Sequence, residues 1–178
     1  MALLTREMLG DLPEPLPKTT LHAIPDGSAG IAATLDYMVT ETKKYRTDLT
    51  LRSLAENIIA NVAIKNYWAE AEAVQNWVRS NIRYTQDVYD VETIKDPLTL
   101  VFSRFGDCDD MALLAGTLLI TLGHPVRYVA TGASEPGEFD HVYVETKIAN
   151  RWVGVETTEN VPLGWIPEPQ IARMVRHV

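Results

Sequence analysis

Cysteine is nearly absent from this sequence: Cys108 is the single one in 178 residues. An internal disulfide and a cysteine-built zinc site are both excluded, so the fold must rest on its apolar core. Basic residues are also scarce. Lys and Arg number 16 against 24 Asp and Glu, without a basic cluster, and the formal charge is -8. That leaves no electrostatic footprint for a phosphate backbone, and no nucleic acid partner is expected. Long apolar runs are missing too. None approaches the roughly 18 residues of a membrane span, and Met1-Ala2-Leu3-Leu4-Thr5-Arg6-Glu7 lacks the basic start and apolar stretch of an export signal. The expectation is no membrane partner and a cytoplasmic location. The acidity reads as a solvated surface and says nothing about substrate.

What is present is ordinary for a folded domain, with 46% hydrophobic and 22% charged residues, and the length fits one core. Prolines 13, 15, 17 and 25 make residues 1–27 an extended arm. Residues 28–165 form the domain and 166–178 a C-terminal tail. Helical spacing of apolar residues predicts a helix over 28–46 with Ser28 as N-cap, a second over 50–62 and a third over 67–82, the last carrying Trp68 and Trp77 as packing residues. Residues 87–97 are polar and irregular. Residues 111–122 are apolar or small throughout, a buried helix stopped by Gly123. Strands follow at 126–130, 139–148 and 152–157, the last two joined by a turn at Ala149-Asn150. Helices first and an antiparallel meander after them make an α+β domain.

Cys108, in Gly106-Asp107-Cys108-Asp109-Asp110, falls at or near the start of the apolar helix, where unpaired N–H groups favour a thiolate. Its carboxylate neighbours oppose that charge. A partner imidazole would resolve the conflict. Of the four histidines, His22 lies in the arm, His177 sits one residue from the end, and His124 follows the helix stop as a solvated loop residue. His141, on a strand, is the best placed. If the hairpin loop centres on Ala149-Asn150, facing residues have numbers summing to about 299, which sets Glu156 opposite Tyr143 and diagonal to His141. The same register puts Val142, Val144, Ile148, Val153 and Val155 on the other face. Glu156 can then orient the imidazole; a three-residue loop would move it to the wrong face.

Three motifs in order, Gly106-Asp107-Cys108-Asp109-Asp110, Asp140-His141-Val142-Tyr143-Val144-Glu145 and Arg151-Trp152-Val153, resemble the transglutaminase-like superfamily, whose members include transglutaminases, cysteine proteases and peptide N-glycanases. The resemblance covers about 77–165. Ile82-Arg83-Tyr84 and Gly164-Trp165-Ile166-Pro167 add a likeness to a small form encoded in phage and prophage genomes. The resemblance implies a papain-like fold, with the nucleophile helix packed on an antiparallel sheet. It implies Cys108 as nucleophile, His141 as general base and the Glu156 position as orienting acid. The family usually has Asp there, so Asp140 and Glu159 are the substitutes to examine. An oxyanion hole would use the Cys108 backbone N–H and an upstream donor, for which Tyr84 and Gln86 are candidates. Asp109 and Asp110 are expected to stabilise the helix N-terminus.

The resemblance therefore implies a cysteine hydrolase acting on a peptide or isopeptide amide, with a peptide or protein substrate and neither metal nor cofactor. The same acyl-enzyme would serve a transamidase if an amine replaced water. A different class is a non-catalytic component of a phage particle that retains the fold, with other phage structural proteins as partners. The loops at 87–97 and 132–138 would carry specificity.

Overall fold

The computed structural model describes residues 25–86 and 93–178. The arm at 1–24, His22 within it, and residues 87–92 of the irregular segment lie outside the described residues.

Three helices come first. α1 spans Ser28–Tyr45. Ser28 is its first residue rather than its cap; Gly27 holds the cap position, and the Ser28 hydroxyl donates to the Gly137 carbonyl at 3.4 Å. α2, Leu49–Ile58, is capped by Asp48, whose carboxylate accepts from the N–H groups of Thr50 and Leu51. It stops four residues short of the expected 62. Beyond Ile58 no residue through Ile64 is fully buried, and Ile64 is 92% exposed, so propagation would have buried little. α3, Tyr67–Asn81, starts on Asn66, which accepts from Ala69 N–H.

A short parallel pair follows, β1 (Arg83–Tyr84) against β2 (Phe105–Gly106), with α4 (Pro97–Ser103) between them. None of the three was expected. Two-residue strands carry no periodicity, while the Asp96 cap ahead of Pro97 at the first helical position was a readable start signal. α5 runs Cys108–Thr121. It begins three residues before the apolar run because Asp107 caps it, accepting from Asp110 N–H at 3.2 Å.

The main sheet holds β3 (Val126–Gly132), β4 (His141–Ile148), β5 (Arg151–Val155) and β6 (Ala172–His177), in the order β5-β4-β3-β6 with every pair antiparallel. The meander of β3, β4 and β5 matches the reading of an α+β, papain-like domain. The C-terminal residues read as a tail instead close the sheet along β3, from Arg127↔His177 to Gly132↔Ala172. Backbone pairing holds this edge, and a strand bearing Arg173, Arg176 and His177 shows little of it in composition.

α5 lies at the centre. Met111, Leu113, Leu114, Leu118 and Leu119 are buried, and the helix touches α1, α2, α3 and α4 as well as β3 and β4. A helix enclosed this fully has no polar face to keep, which is why its sequence is apolar all round. Among the described residues no helix is long and apolar enough to cross a membrane.

The seam between α5 and the sheet is narrow at Gly116. A Cβ there would strike the Tyr128 hydroxyl and ring, and that buried tyrosine is fixed by a 2.6 Å hydrogen bond between its hydroxyl and that of Thr42. Gly116→Ala should therefore destabilise the fold by about 1–3 kcal/mol through overpacking. Urea unfolding tests this; an unchanged midpoint would mean that the Tyr128 ring gives way freely.

Candidate active site

The site forms where the first turn of α5 meets the start of β4. β2 delivers the chain to that turn, and Gly106 is required there because a Cβ would fall against the Asp110 carboxylate and the Leu100 side chain. Asp110 is fully buried. It accepts from Lys95 N–H at 2.6 Å and from Lys95 Nζ at 2.8 Å, tying the helix start to the segment before α4. Burial pushes its pKa up, against the pull of Lys95. Asp110 thus steadies the helix N-terminus, as expected, together with Asp107 as its cap, which was not.

Asp109 does something else. It is buried, and its carboxylate accepts from the Cys108 thiol at 3.4 Å. Burial, followed by the Asp109 charge, pushes the thiol pKa far up, while the Val142 backbone N–H, donating toward the sulfur, pulls the other way. Burial and the carboxylates around Cys108 thus favour the neutral thiol. Its hydrogen bond goes to Asp109 and not to an imidazole.

His141 opens β4, one residue before the Val142 whose N–H reaches the sulfur. Its Nε2 lies 2.7 Å from Glu156 Oε2. The register that joins them is the expected one: Val144↔Val155, Glu145↔Gly154 and Thr146↔Val153, closed by a two-residue turn in which Ala149 and Asn150 both have positive φ. Val142, Val144 and Val155 are buried on the opposite face, with Ile148 and Val153 packed partly against the core.

Glu156, just beyond β5, is 1% exposed. Its Oε1 accepts from Thr158 N–H and Thr158 Oγ1, both at 2.7 Å, and from Glu159 N–H at 3.4 Å. Burial raises its pKa, but the hydrogen bond and charge of His141 and the Thr158 donors more than offset that and bring the pKa below the usual value. An ionised carboxylate only accepts, so His141 Nε2 carries a proton, and in the neutral ring Nδ1 is the basic nitrogen. The extra methylene of Glu relative to Asp is accommodated by this turn. Asp140 and Glu159 are both exposed and make no ion pair among the described residues.

A cleft of about 410 Å³ opens beside the imidazole, lined by His141, Tyr84, Thr131, Asp140, Trp165 and Glu168 among others. Tyr84, half exposed, is there because β1 pairs with β2 immediately before the nucleophile. Gln86 is exposed and is not part of the cleft wall. Cys108 is not part of it either. Among the described residues no group of three or more His, Cys, Asp or Glu could hold a metal.

Two histidines differ from expectation. His124 is buried, its Nε2 2.7 Å from Glu70 Oε2 and its ring edge-on to Tyr67, because the turn after α5 folds back under α3. His177 sits in β6 against the Trp152 ring rather than in a loose end. Neither belongs to the site. The sequence reading also missed two supports of the acid. Thr158, two residues on, was recoverable as a hydroxyl donor in a turn. Gln75, whose buried Nε2 donates to the Glu156 carbonyl at 2.8 Å from 81 positions away, left no local trace.

The family model described as the transglutaminase-like superfamily matches residues 52–157. No curated protein sequence matches the chain. Among solved structures, the chain is similar to a candidate cysteine protease from Cytophaga hutchinsonii, with 22% identity and a TM-score of 0.56 over 78% of this chain and 47% of that one. A candidate protease from Parabacteroides distasonis gives 15% identity and a TM-score of 0.58 over 78% and 27%. Calcium-bound LapG of Legionella pneumophila gives 17% and 0.53 over 81% of each chain. The chain spans about half the length of the first of these. At such identities the likeness establishes a shared fold.

Two outcomes follow. Asp109→Asn removes a charge that holds the thiol neutral, so alkylation by iodoacetamide should become faster near neutral pH; an unchanged rate would mean that Asp109 does not govern the thiol. For Glu156, a lowered folded pKa means that its stabilisation is complete above the ordinary carboxylate pKa and is lost as pH falls through the folded value. Glu156→Gln should flatten the acid loss of stability in urea titrations between those two points. Parallel profiles for the two proteins would contradict this.

Proposed function

The chain belongs to the transglutaminase-like superfamily, and we propose that within it this protein is a cysteine hydrolase that cleaves a peptide or isopeptide amide through Cys108, His141 and Glu156. The observation that carries this reading is the 2.7 Å hydrogen bond from His141 Nε2–H to a buried, ionised Glu156. It fixes the tautomer with Nδ1 as the base on a strand whose next residue contacts the sulfur. A carboxylate held by four donors is costly to build for packing alone.

In this mechanism the thiol leaves Asp109 and gives its proton to His141 Nδ1 as Sγ attacks the amide carbon. The Cys108 backbone N–H and an upstream donor stabilise the oxyanion, with Tyr84 the one of the two candidates that lines the cleft. The C–N bond breaks as the imidazolium protonates the departing nitrogen, leaving a thioester. Water then attacks that carbon and gives a proton to Nδ1, and the C–S bond breaks to release the acid and return the proton to sulfur. Glu156 stays ionised throughout and steadies the imidazolium. An amine in place of water would make the same site a transamidase.

A specific observation favours a second reading. A thiol whose pKa is pushed up by burial and by Asp109 is of the inert kind, as in a binding module, such as a phage particle component, that retains the fold.

Labelling with a thiol-directed amide mimic separates the two. The native chain should label, Cys108→Ala should not, and His141→Ala should react at least about a hundredfold more slowly, the usual scale of a lost general base. If His141→Ala labels as fast as the native chain, the hydrolase reading fails. Incorporation of a labelled amine into a Gln donor peptide, dependent on Cys108, would replace hydrolysis by transamidation.

A further inference from the structure

The cleft beside His141 has walls of one charge. Asp140, Glu159 and Glu168 line it, no Lys or Arg does, and none of the three carboxylates forms an ion pair among the described residues. Arg173 pairs with Glu145, as does Arg127, and Arg79 donates to the backbone carbonyls of Glu159 and Val161 and to the Asn76 side chain. The rest of the wall includes two half-exposed aromatic rings, Tyr84 and Trp165, at 50% and 37% exposure.

The site itself is marked by the hydrogen-bonded His141, which forms part of the wall; the carboxylates decide only what charge the cleft accepts. Its position relative to the sulfur decides which half of a substrate enters. In amide cleavage the imidazolium protonates the departing nitrogen, so the leaving portion lies on the imidazole side of the sulfur. The cleft contains His141 and not Cys108, and on the hydrolase reading it is assigned to the leaving side.

We infer that this cleft binds the leaving portion of the substrate and selects a cationic side chain there, a Lys or Arg close to the scissile nitrogen. Three carboxylates supply the opposite charge, and the Trp165 ring in the wall suits an ammonium or guanidinium group and its apolar stem. A substrate with Asp or Glu at that place would bring like charges together. The inference rests on the hydrolase reading for the orientation of the substrate and on the cleft alone for its charge preference.

The test has a binding arm and a cleavage arm. In the first, full-length Cys108→Ala is titrated by calorimetry with short Gly/Ala peptides that differ at one position, which carries Lys, norleucine or Glu. The Lys peptides should bind tightest and the Glu peptides weakest, at about threefold per carboxylate, the scale of a partly exposed ion pair. Combining Asp140→Asn, Glu159→Gln and Glu168→Gln should abolish the order, as should high salt. These residues are on the surface, and urea unfolding checks that the variant is folded. Equal binding of the three peptides, no binding of any, or an order that survives the triple variant overturns the inference.

In the second arm, the native chain cleaves a peptide library in which the residue after the scissile bond varies. Lys and Arg should exceed Glu in kcat/KM, mainly through KM. Charge-selective binding without cleavage would sink the hydrolase reading and leave the cleft assignment standing. Cleavage indifferent to charge, with binding equally indifferent, would do the reverse.

Discussion

The register of the β4–β5 hairpin is the constraint on which the site depends. Side chains alternate along a strand, so a slip of one residue would turn Glu156 toward the core and set Val155 against His141. The two-residue turn prevents this. Ala149 and Asn150 both hold left-handed backbone conformations, which match the twist of the flanking strands, and the buried valines resist any alternative. A single local event thereby completes the core face and sets the acid against the imidazole.

A second constraint acts on the nucleophile. The first turn of α5 carries Asp107, Asp109 and Asp110, and the three have separate tasks. Asp107 caps the helix, Asp110 anchors it to Lys95, and Asp109 accepts the hydrogen bond of the thiol. Two of these interactions hold the turn in place, and the third opposes ionisation of Cys108. The thiol reaches the start of β4 in surroundings that favour its neutral form, and in the proposed reaction the imidazole must draw its proton away.

Helices α1 and α3, the buried α5 and the three strands of the meander were legible because each carries its own periodicity or turn signal. Asp96-Pro97 announced α4 and was overlooked. The β1–β2 pair and β6 were not legible, since each exists through backbone hydrogen bonds to a partner distant in sequence. His124 misled for the same reason. Nothing near Gly123 indicates that Glu70, 54 positions earlier, waits beneath it.

The sequence by itself determined the fold class, the place of Cys108 at a helix start, and the pairing of His141 with Glu156, because all three follow from local rules of helix capping, strand alternation and turn length. Tertiary structure decided the protonation of that thiol, the anchoring of Glu156 by Gln75 and the charge of the cleft, because burial and the convergence of Asp140, Glu159 and Glu168 arise only when separate segments pack together.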